Sequence, residues 1–229
     1  MKENKIIPSV TVNYKSTGNS IKSNELGMRA MQERAYEKRG EQYLLIKSPP
    51  ASGKSRALMF IALDKLNNQG IRQAIIAVPE KSIGSSFTNE PLSKYGFYHD
   101  WSVEPKWNLC NALGEDGSKV NSVKSFLESE DKVLVCTHAT FRFSVERLGI
   151  EVFDDRLIAI DEFHHVSADE NNVLGTQLKQ LVERNQIHIV AMTGSYFRGD
   201  ANPVLMPQDE AKFDTVTYPI MNSLMVMSI

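Results

Sequence analysis

The chain has 229 residues, of which 41% are hydrophobic and 24% are charged, a composition typical of one large or two small globular domains. Its formal net charge of −2 at pH 7 excludes a globally basic nucleic-acid binder, although a local basic groove would not show in that sum. The cysteines, Cys110 and Cys136, form no C-x-x-C motif and indicate neither a disulfide framework nor a zinc site. No signal peptide or membrane-length apolar run is found, so we expect a cytoplasmic protein with no membrane partner.

The first part of the chain contains one strand between two helical segments. Residues 1–24 are rich in Lys, Asn and Ser and are expected to form a flexible leader or an edge strand. Apolar residues at helical spacing over residues 25–39 predict a helix. A short apolar run at residues 43–46 predicts a strand, and the helix-forming run at residues 55–69 predicts a second helix. A tight loop must join this strand to the helix that follows it.

That loop, at residues 46–55, reads I-K-S-P-P-A-S-G-K-S. Backbone N–H groups at the start of a helix bind anions, because they donate hydrogen bonds and lie at the positive end of the helix dipole. Here Gly53 would let the backbone approach a phosphate, Lys54 would supply a cation, and Ser55 would supply a hydroxyl for Mg²⁺. The loop departs from the pattern G-x-x-x-x-G-K-[ST] at Ser48. A bare G-K-S is an ordinary helix start, but the preceding strand and following helix favour a phosphate loop.

The rest of the chain alternates apolar runs with helical patterns, which predicts an α/β fold with a mostly parallel sheet and helices on both faces. The predicted strands are residues 74–78, 132–136, 157–160 and 188–192, and the predicted helices are residues 122–128, 139–148 and 175–183. We expect one domain over residues 25–200, with a small antiparallel insertion at residues 101–117. Residues 201–229 contain three prolines and little periodicity, which predicts an extended tail or the start of a missing second domain.

A second chemical motif lies at residues 157–164, which read L-I-A-I-D-E-F-H. The apolar strand ends in two adjacent carboxylates, Asp161 and Glu162. Such a pair can hold a phosphate-bound Mg²⁺ through one acid and polarise a water with the other. The pair could also be a solvated turn, but the cost of burying two acids beside an apolar strand favours a metal or another partner. Together with the phosphate loop, it indicates a nucleotide triphosphatase.

The series P-P-A-S-G-K-S, A-I-I-A-V-P, V-C-T-H, I-A-I-D-E-F-H and M-T-G-S resembles the first RecA-like domain of DExH-type superfamily-two helicases and translocases. The resemblance covers roughly residues 28–195. It implies a P-loop NTPase fold, ATP and Mg²⁺ as cofactors, and nucleic acid as a partner, with DNA favoured over RNA.

The resemblance also implies roles for residues around the nucleotide. Lys54 would bind the β- and γ-phosphates, Ser55 and Asp161 would hold Mg²⁺, and Glu162 would orient the attacking water. The implied nucleotide contacts are Ser48, Pro49, Pro50, Ala51, Ser52, Gly53, Lys54, Ser55, Arg56 and, upstream, Gln32. In this family a glutamine near the position of Gln32 contacts adenine, although a surface glutamine on a helix is an equal alternative.

Two further groups of residues are implied by the resemblance. Those that would couple the nucleotide site to moving parts are His164, Thr193, Gly194 and Ser195. Those that would contact a nucleic-acid backbone are Lys81, Ser82, Thr137 and His138. Local hydrogen bonding within turns is the alternative for the first group, and ordinary solvated loops are the alternative for the second.

Helicases of this family need a second RecA-like domain, whose arginines reach the γ-phosphate and accelerate hydrolysis by orders of magnitude. Only 34 residues follow Ser195. We therefore expect the motor half of a DNA helicase or translocase, which hydrolyses ATP weakly alone and is completed by a second domain in cis or in trans. The alternatives are a P-loop ATPase that does not act on nucleic acid and a catalytically idle nucleotide-binding module.

Overall fold

The computed structural model describes residues 23–114, 116–166, 173–194 and 205–218. The strands are β1 Tyr43–Lys47, β2 Ala74–Val78, β3 Val133–Thr137, β4 Leu157–Ile160, β5 His188–Thr193 and β6 Asp214–Thr217. The helices are α1 Ala30–Glu37, α2 Lys54–Asn68, α3 Asp116–Leu127, α4 His138–Leu148, α5 Val173–Arg184 and the short α6 Pro207–Glu210. None of the described helices is long and apolar enough to cross a membrane.

These strands form one sheet in the order β3-β2-β4-β5-β1-β6, and every neighbouring pair is parallel. The predicted α/β fold with a parallel sheet is confirmed. Parallel strands joined by helical crossovers end at the same edge of the sheet, which is where ligands bind in such folds. The loops after β1, β4 and β5 are therefore neighbours, although they are far apart in sequence.

The sheet is buried on both faces, which explains why its strands are apolar throughout. In β1, Leu44 and Ile46 belong to one core cluster, and Tyr43 and Leu45 belong to the other. Helices α1 and α2 pack on the first face, while α3, α4 and α5 cover the second. The central strands are thus fixed by packing on both faces, and this fixes the starting points of the loops at their carboxyl ends.

The segment at residues 101–117 differs from the predicted antiparallel insertion. Among its described residues, the antiparallel pairing is a single bridge between Trp101 and Glu90, and the segment continues into a 3-10 helix at Pro105–Trp107. Asn108 then forms a parallel bridge with β3. Both tryptophans are buried. The apolar residues of the segment therefore alternate with polar ones because they pack against the domain core, and not because the segment forms a hairpin.

The tail also contributes to the sheet. Residues 214–217, predicted as part of an extended tail or the start of a missing second domain, form β6 at the edge of the sheet beside β1. The ring of Phe213, just before this strand, lies 5.4 Å from that of Tyr43. For these residues the extended-tail prediction is wrong. Only Val216 of β6 is buried, so the sequence of this strand has almost no periodic pattern of apolar residues. The predicted leader and residues 219–229 lie outside the described residues, except for positions 23 and 24.

A buried lysine lies at the amino-terminal edge of the sheet, opposite the loops that follow β1, β4 and β5. The ammonium of Lys65 donates to the carbonyl of Glu41 over 2.8 Å and lies 2.8 Å from Nδ1 of His188. Burial lowers the pKa of Lys65 to about 8. Burial, together with this lysine, lowers the pKa of His188 to about 4. His188 is therefore neutral at pH 7 and accepts a hydrogen bond from the lysine.

The low pKa of His188 predicts an acid-sensitive contribution to stability. Because the folded state binds this proton less tightly than the unfolded chain, the contribution is complete above about pH 6.5 and is lost as the pH falls toward 4. In His188→Asn, whose amide oxygen can still accept from Lys65, the loss between pH 7 and pH 4.5 should be smaller than in the wild type. Urea unfolding at both pH values measures this. His99→Asn, at an exposed site, should behave as the wild type, and an undiminished loss in His188→Asn would contradict the assignment.

Candidate nucleotide-binding site

The phosphate loop connects β1 to α2 as predicted. Gly53 has a φ of +92°, and a Cβ at this position would lie 2.5 Å from Nε2 of Gln32, so only glycine fits. Ser48, which replaces the first glycine of the pattern, is fully buried. Its hydroxyl donates to the hydroxyl of Ser52 over 2.7 Å, and its N–H donates to the carbonyl of Thr193. These bonds fix the loop to itself and to β5.

Lys54 is the first residue of α2, and its side chain is buried beneath the loop. Its ammonium donates to the carbonyls of Ser48 and Pro49 over 3.1 and 3.0 Å. Burial lowers the pKa of Lys54, and the carboxylates of Glu162 and Asp161 oppose part of that shift. The cation therefore lies close to the second predicted motif.

Asp161 and Glu162 follow β4, at the same edge of the sheet. Asp161 is 5% exposed, and one of its carboxylate oxygens accepts from the N–H of Glu162 over 2.9 Å. Burial, and the neighbouring carboxylate of Glu162, raise the pKa of Asp161 to about 6. Glu162 has a φ of +48°, a left-handed conformation that is uncommon for a residue other than glycine. The turn thus directs two acids toward Lys54.

The donors present fit Mg²⁺ held jointly with a phosphate. Asp161 is a buried carboxylate, and a buried anion is favourable only beside a cation. Ser55, whose hydroxyl can bind a metal ion, lines the same cavity. Among the described residues, no group of three or more His, Cys, Asp or Glu side chains could hold a metal by itself. One carboxylate and one hydroxyl are the donor set expected for Mg²⁺, which takes one or two protein ligands and completes its shell with phosphate oxygens and waters.

The two motifs line one cavity of about 440 Å³. The predicted site residues that line it are Gln32, Pro50, Ala51, Gly53, Lys54, Ser55, Arg56, Asp161 and Glu162. Ser48, Pro49 and Ser52 are not in its lining and belong to the loop behind it. Sequence reasoning missed five lining residues, namely Arg29, Met59, Ile83, Ser86 and Glu90. No motif marks them, although Arg29 lies within the helix predicted at residues 25–39 and Glu90 forms an ion pair of 3.0 Å with Arg56.

Gln32 lies in this cavity, but its amide group already has protein partners. Its Oε1 accepts from the N–H of Arg29 over 2.8 Å, at the start of α1, and its Nε2 donates to the carbonyl of Gly53 over 3.1 Å. The side chain is 2% exposed. In this conformation Gln32 ties α1 to the phosphate loop, which differs from the predicted contact with adenine.

Gln32→Ala separates these two roles. Loss of the contact with Gly53 should loosen the loop and weaken ATP and GTP binding by a similar factor, about two to ten for a lost net hydrogen bond. Calorimetric titration with each nucleotide at matched Mg²⁺ measures the two factors. Gln180→Ala, at an exposed site on α5, should change neither. A loss confined to ATP would show instead that Gln32 contacts the adenine base.

The structure brings together most of the residues predicted to couple the site to moving parts. Nδ1 of His164 lies 3.2 Å from a carboxylate oxygen of Glu162 and 3.1 Å from the hydroxyl of Thr193. A Cβ on Gly194 would lie 3.4 Å from the ammonium of Lys54. The turns after β4 and β5 are thus in contact beside the cavity. Ser195 lies outside the described residues.

The structure places only some of the predicted nucleic-acid contacts in one cavity. Lys81 and Thr137 line a second cavity of about 720 Å³, which we call the basic groove. Its lining also includes Pro79, Glu80, Gly114, Gly117, Lys119, Ala139, Phe143 and Arg147. Ser82 lies in the adjoining 3-10 helix Lys81–Phe87. His138 does not line the groove, because its imidazole Nε2 lies 2.9 Å from the backbone oxygen of Asp161.

A RecA-like parallel sheet with a phosphate loop after one strand and paired acids after another defines a P-loop nucleotide triphosphatase domain. The chain belongs to the DEAD/DEAH box helicase family, whose sequence model matches residues 29–200. The predicted family is therefore confirmed.

Similar proteins agree with this assignment. The chain is 60% identical over 209 residues to a Bacillus subtilis (strain 168) protein named "Putative ATP-dependent helicase YeeB". The match covers 91% of this chain and 35% of that protein, so this chain spans about a third of its relative. The fold is similar to that of the Pyrococcus furiosus Hef helicase domain, with a TM-score of 0.53, 19% identity, and coverage of 83% of this chain and 38% of that one. It is also similar to the DUF1998 helicase MrfA bound to DNA, with a TM-score of 0.54, 14% identity, and coverage of 83% and 27%.

Proposed function

We propose that this chain binds ATP with Mg²⁺ and hydrolyses it as the motor half of a DNA helicase or translocase. The observation that carries the proposal is the convergence of Lys54, Ser55, Asp161 and Glu162 on one cavity at the carboxyl edge of the sheet. A buried lysine and a hydroxyl at the start of a helix, with two acids at the end of a nearby strand, are the groups that phosphoryl transfer from a nucleotide requires.

Each residue has a separate role in this proposal. The N-terminus of α2 and the ammonium of Lys54 bind the phosphates, and the γ-phosphate draws that ammonium from the loop carbonyls. Ser55 and Asp161 hold Mg²⁺, which when bound neutralises charge that develops on the phosphate oxygens. Glu162 orients the attacking water and accepts its proton. His164, in contact with Glu162 and Thr193, holds that carboxylate in place.

Binding and hydrolysis can be separated by two substitutions in the cavity. Lys54→Ala should abolish ATP binding, because it removes the cation beneath the phosphates. Glu162→Gln should leave the dissociation constant for ATP almost unchanged and lower turnover by about 100-fold or more, as expected for loss of a general base. Calorimetry measures the first quantity, and phosphate release under saturating ATP measures the second.

Lys94→Ala, at an exposed position, is the control and should change neither quantity. Wild-type ATP affinity in Lys54→Ala would contradict the nucleotide assignment. Wild-type turnover in Glu162→Gln would contradict the catalytic assignment alone. Binding without any turnover in the unsubstituted chain would favour the idle nucleotide-binding module.

The basic groove supports a nucleic-acid partner. Lys81, Lys119 and Arg147 line it together with one acid, Glu80. Lys119 is 4% exposed, so most of its side chain packs against the protein where it lines the groove. Three cations beside one acid give the groove a net positive charge, which attracts anions. Phosphates of a nucleic-acid backbone are suitable anions, and the similar fold of MrfA, bound to DNA, favours DNA.

A lysine substitution in this groove tests the partner. Lys119→Met keeps an unbranched apolar stem and removes one phosphate contact, so it should weaken single-stranded DNA binding. The slope of log K against the logarithm of the salt concentration should also become shallower, by the amount expected for the loss of about one phosphate contact. Fluorescence anisotropy at several salt concentrations measures both. Lys124→Met, on the exposed face of the same helix, should keep the wild-type slope. An unchanged slope in Lys119→Met would contradict this use of the groove.

A second RecA-like domain completes the cleft in this proposal, in cis or in trans. The relative YeeB is nearly three times as long as the part matched by this chain, which leaves length for such a domain. Residues 25–200 together with β6 then form the first domain. The nucleotide cavity opens at the sheet edge, where an arginine from the second domain would reach the γ-phosphate, so turnover by this chain alone is weak.

A further inference from the structure

The position of His138 sets it apart from its neighbours in sequence. It is the first residue of α4, immediately after β3, and Thr137 caps this helix by accepting from the N–H of Thr140. Thr137 and Ala139 line the basic groove. The side chain of His138 between them instead reaches the backbone oxygen of Asp161 over 2.9 Å. One residue at the rim of the groove therefore contacts the strand end that carries the acids.

The contact has a defined direction. A carbonyl oxygen only accepts hydrogen bonds, so Nε2 of His138 carries the ring proton and donates it. The bonded oxygen belongs to the peptide group between Asp161 and Glu162, whose N–H donates to the Asp161 carboxylate. The imidazole therefore holds the peptide plane on which the positions of both acids depend.

The backbone after this peptide is sensitive to its orientation. Glu162 has a φ of +48°, and a side chain in that region is retained only where neighbouring contacts enforce it. The N–H of Asp161 bonds to the carbonyl of Ala77 in β2, which fixes one side of the turn. The bond from His138 fixes the next peptide. Loss or displacement of the imidazole would allow this peptide to rotate and move Glu162.

We propose that His138 is the positioning residue that couples nucleic acid in the basic groove to the acids of the nucleotide site, an inference that rests on the proposed function. A phosphate bound at Thr137 and the start of α4 shifts the backbone of His138. The imidazole transmits that shift to the Asp161–Glu162 peptide. The helix terminus thus serves as a sensor for the groove, and the ring serves as the connection between the two sites.

The test is a thermodynamic cycle on the whole chain. The dissociation constant of ATP with Mg²⁺ is measured with and without saturating single-stranded DNA, and the ratio gives the coupling between the sites. In the wild type we expect a ratio of about five or more. His138→Leu, which fills similar volume without a donor, should bring the ratio to within about twofold of one. His138→Gln, whose Nε2 reaches the position of the imidazole Nε2, should restore it.

Two measurements distinguish coupling from damage to the fold or to the separate sites. Affinity for DNA alone should be within about threefold of the wild type in all variants, and thermal unfolding should remain cooperative. A change in ATP affinity that does not depend on DNA is present in both arms of the cycle and cancels in the ratio. His99→Leu, at a distant exposed site, should keep the full ratio. A wild-type ratio in His138→Leu overturns the role of His138, and so does failure of His138→Gln to restore coupling. A ratio of one in a wild type that binds both ligands overturns the coupling while leaving nucleotide binding intact.

Discussion

Two opposite charges held away from water, the ammonium of Lys54 and the carboxylate of Asp161, determine how the rest of the site is built. Burial lowers the pKa of the first and raises the pKa of the second to about 6, so the charged form of each is disfavoured where the fold places it. Carbonyls of the phosphate loop and the N–H of Glu162 compensate in part. In the proposed function, a triphosphate with Mg²⁺ supplies the missing partner to each charge. A ligand that binds only the folded state in this way also stabilises that state.

The strand order provides the geometry for this pair. Strand β5 lies between β1 and β4, so the turn after β5 separates the phosphate loop from the acids and touches both. Thr193, at the end of β5, accepts from the N–H of Ser48 on one side and contacts His164 on the other. Because the strands are parallel and buried on both faces, their ends cannot shift independently. A shift of the turn that carries Asp161 and Glu162 is therefore transmitted to the phosphate loop through the end of β5.

The sequence could predict what depends on contiguous residues. The phosphate loop and the acid turn are short segments whose strand and helix contexts can be read locally, and the alternation of apolar runs and helices indicates the parallel sheet. It could not predict Glu90, which enters the cavity through pairing with Trp101, or β6, whose single buried residue gives no pattern. The hydrogen-bond partners of Gln32 and His138 also depend on contacts between distant segments. The family resemblance implied that these two side chains bind ligands, whereas in the structure they donate to the backbone carbonyls of Gly53 and Asp161.

The basic groove and the nucleotide cavity lie side by side at the carboxyl edge of the sheet. Some groove residues follow β2, while Thr137 ends β3 and the acids follow β4. Because β2 lies between β3 and β4, the ends of these two strands are about 10 Å apart at the usual spacing of a sheet. An imidazole on the first residue of α4 is long enough to reach across this gap, and the structure shows it doing so. Coupling between binding sites is reciprocal. If nucleic acid in the groove changes nucleotide affinity through His138, nucleotide in the cavity must change the affinity of the groove by the same factor. A motor that grips and releases a strand as ATP binds and is hydrolysed requires that reciprocal change.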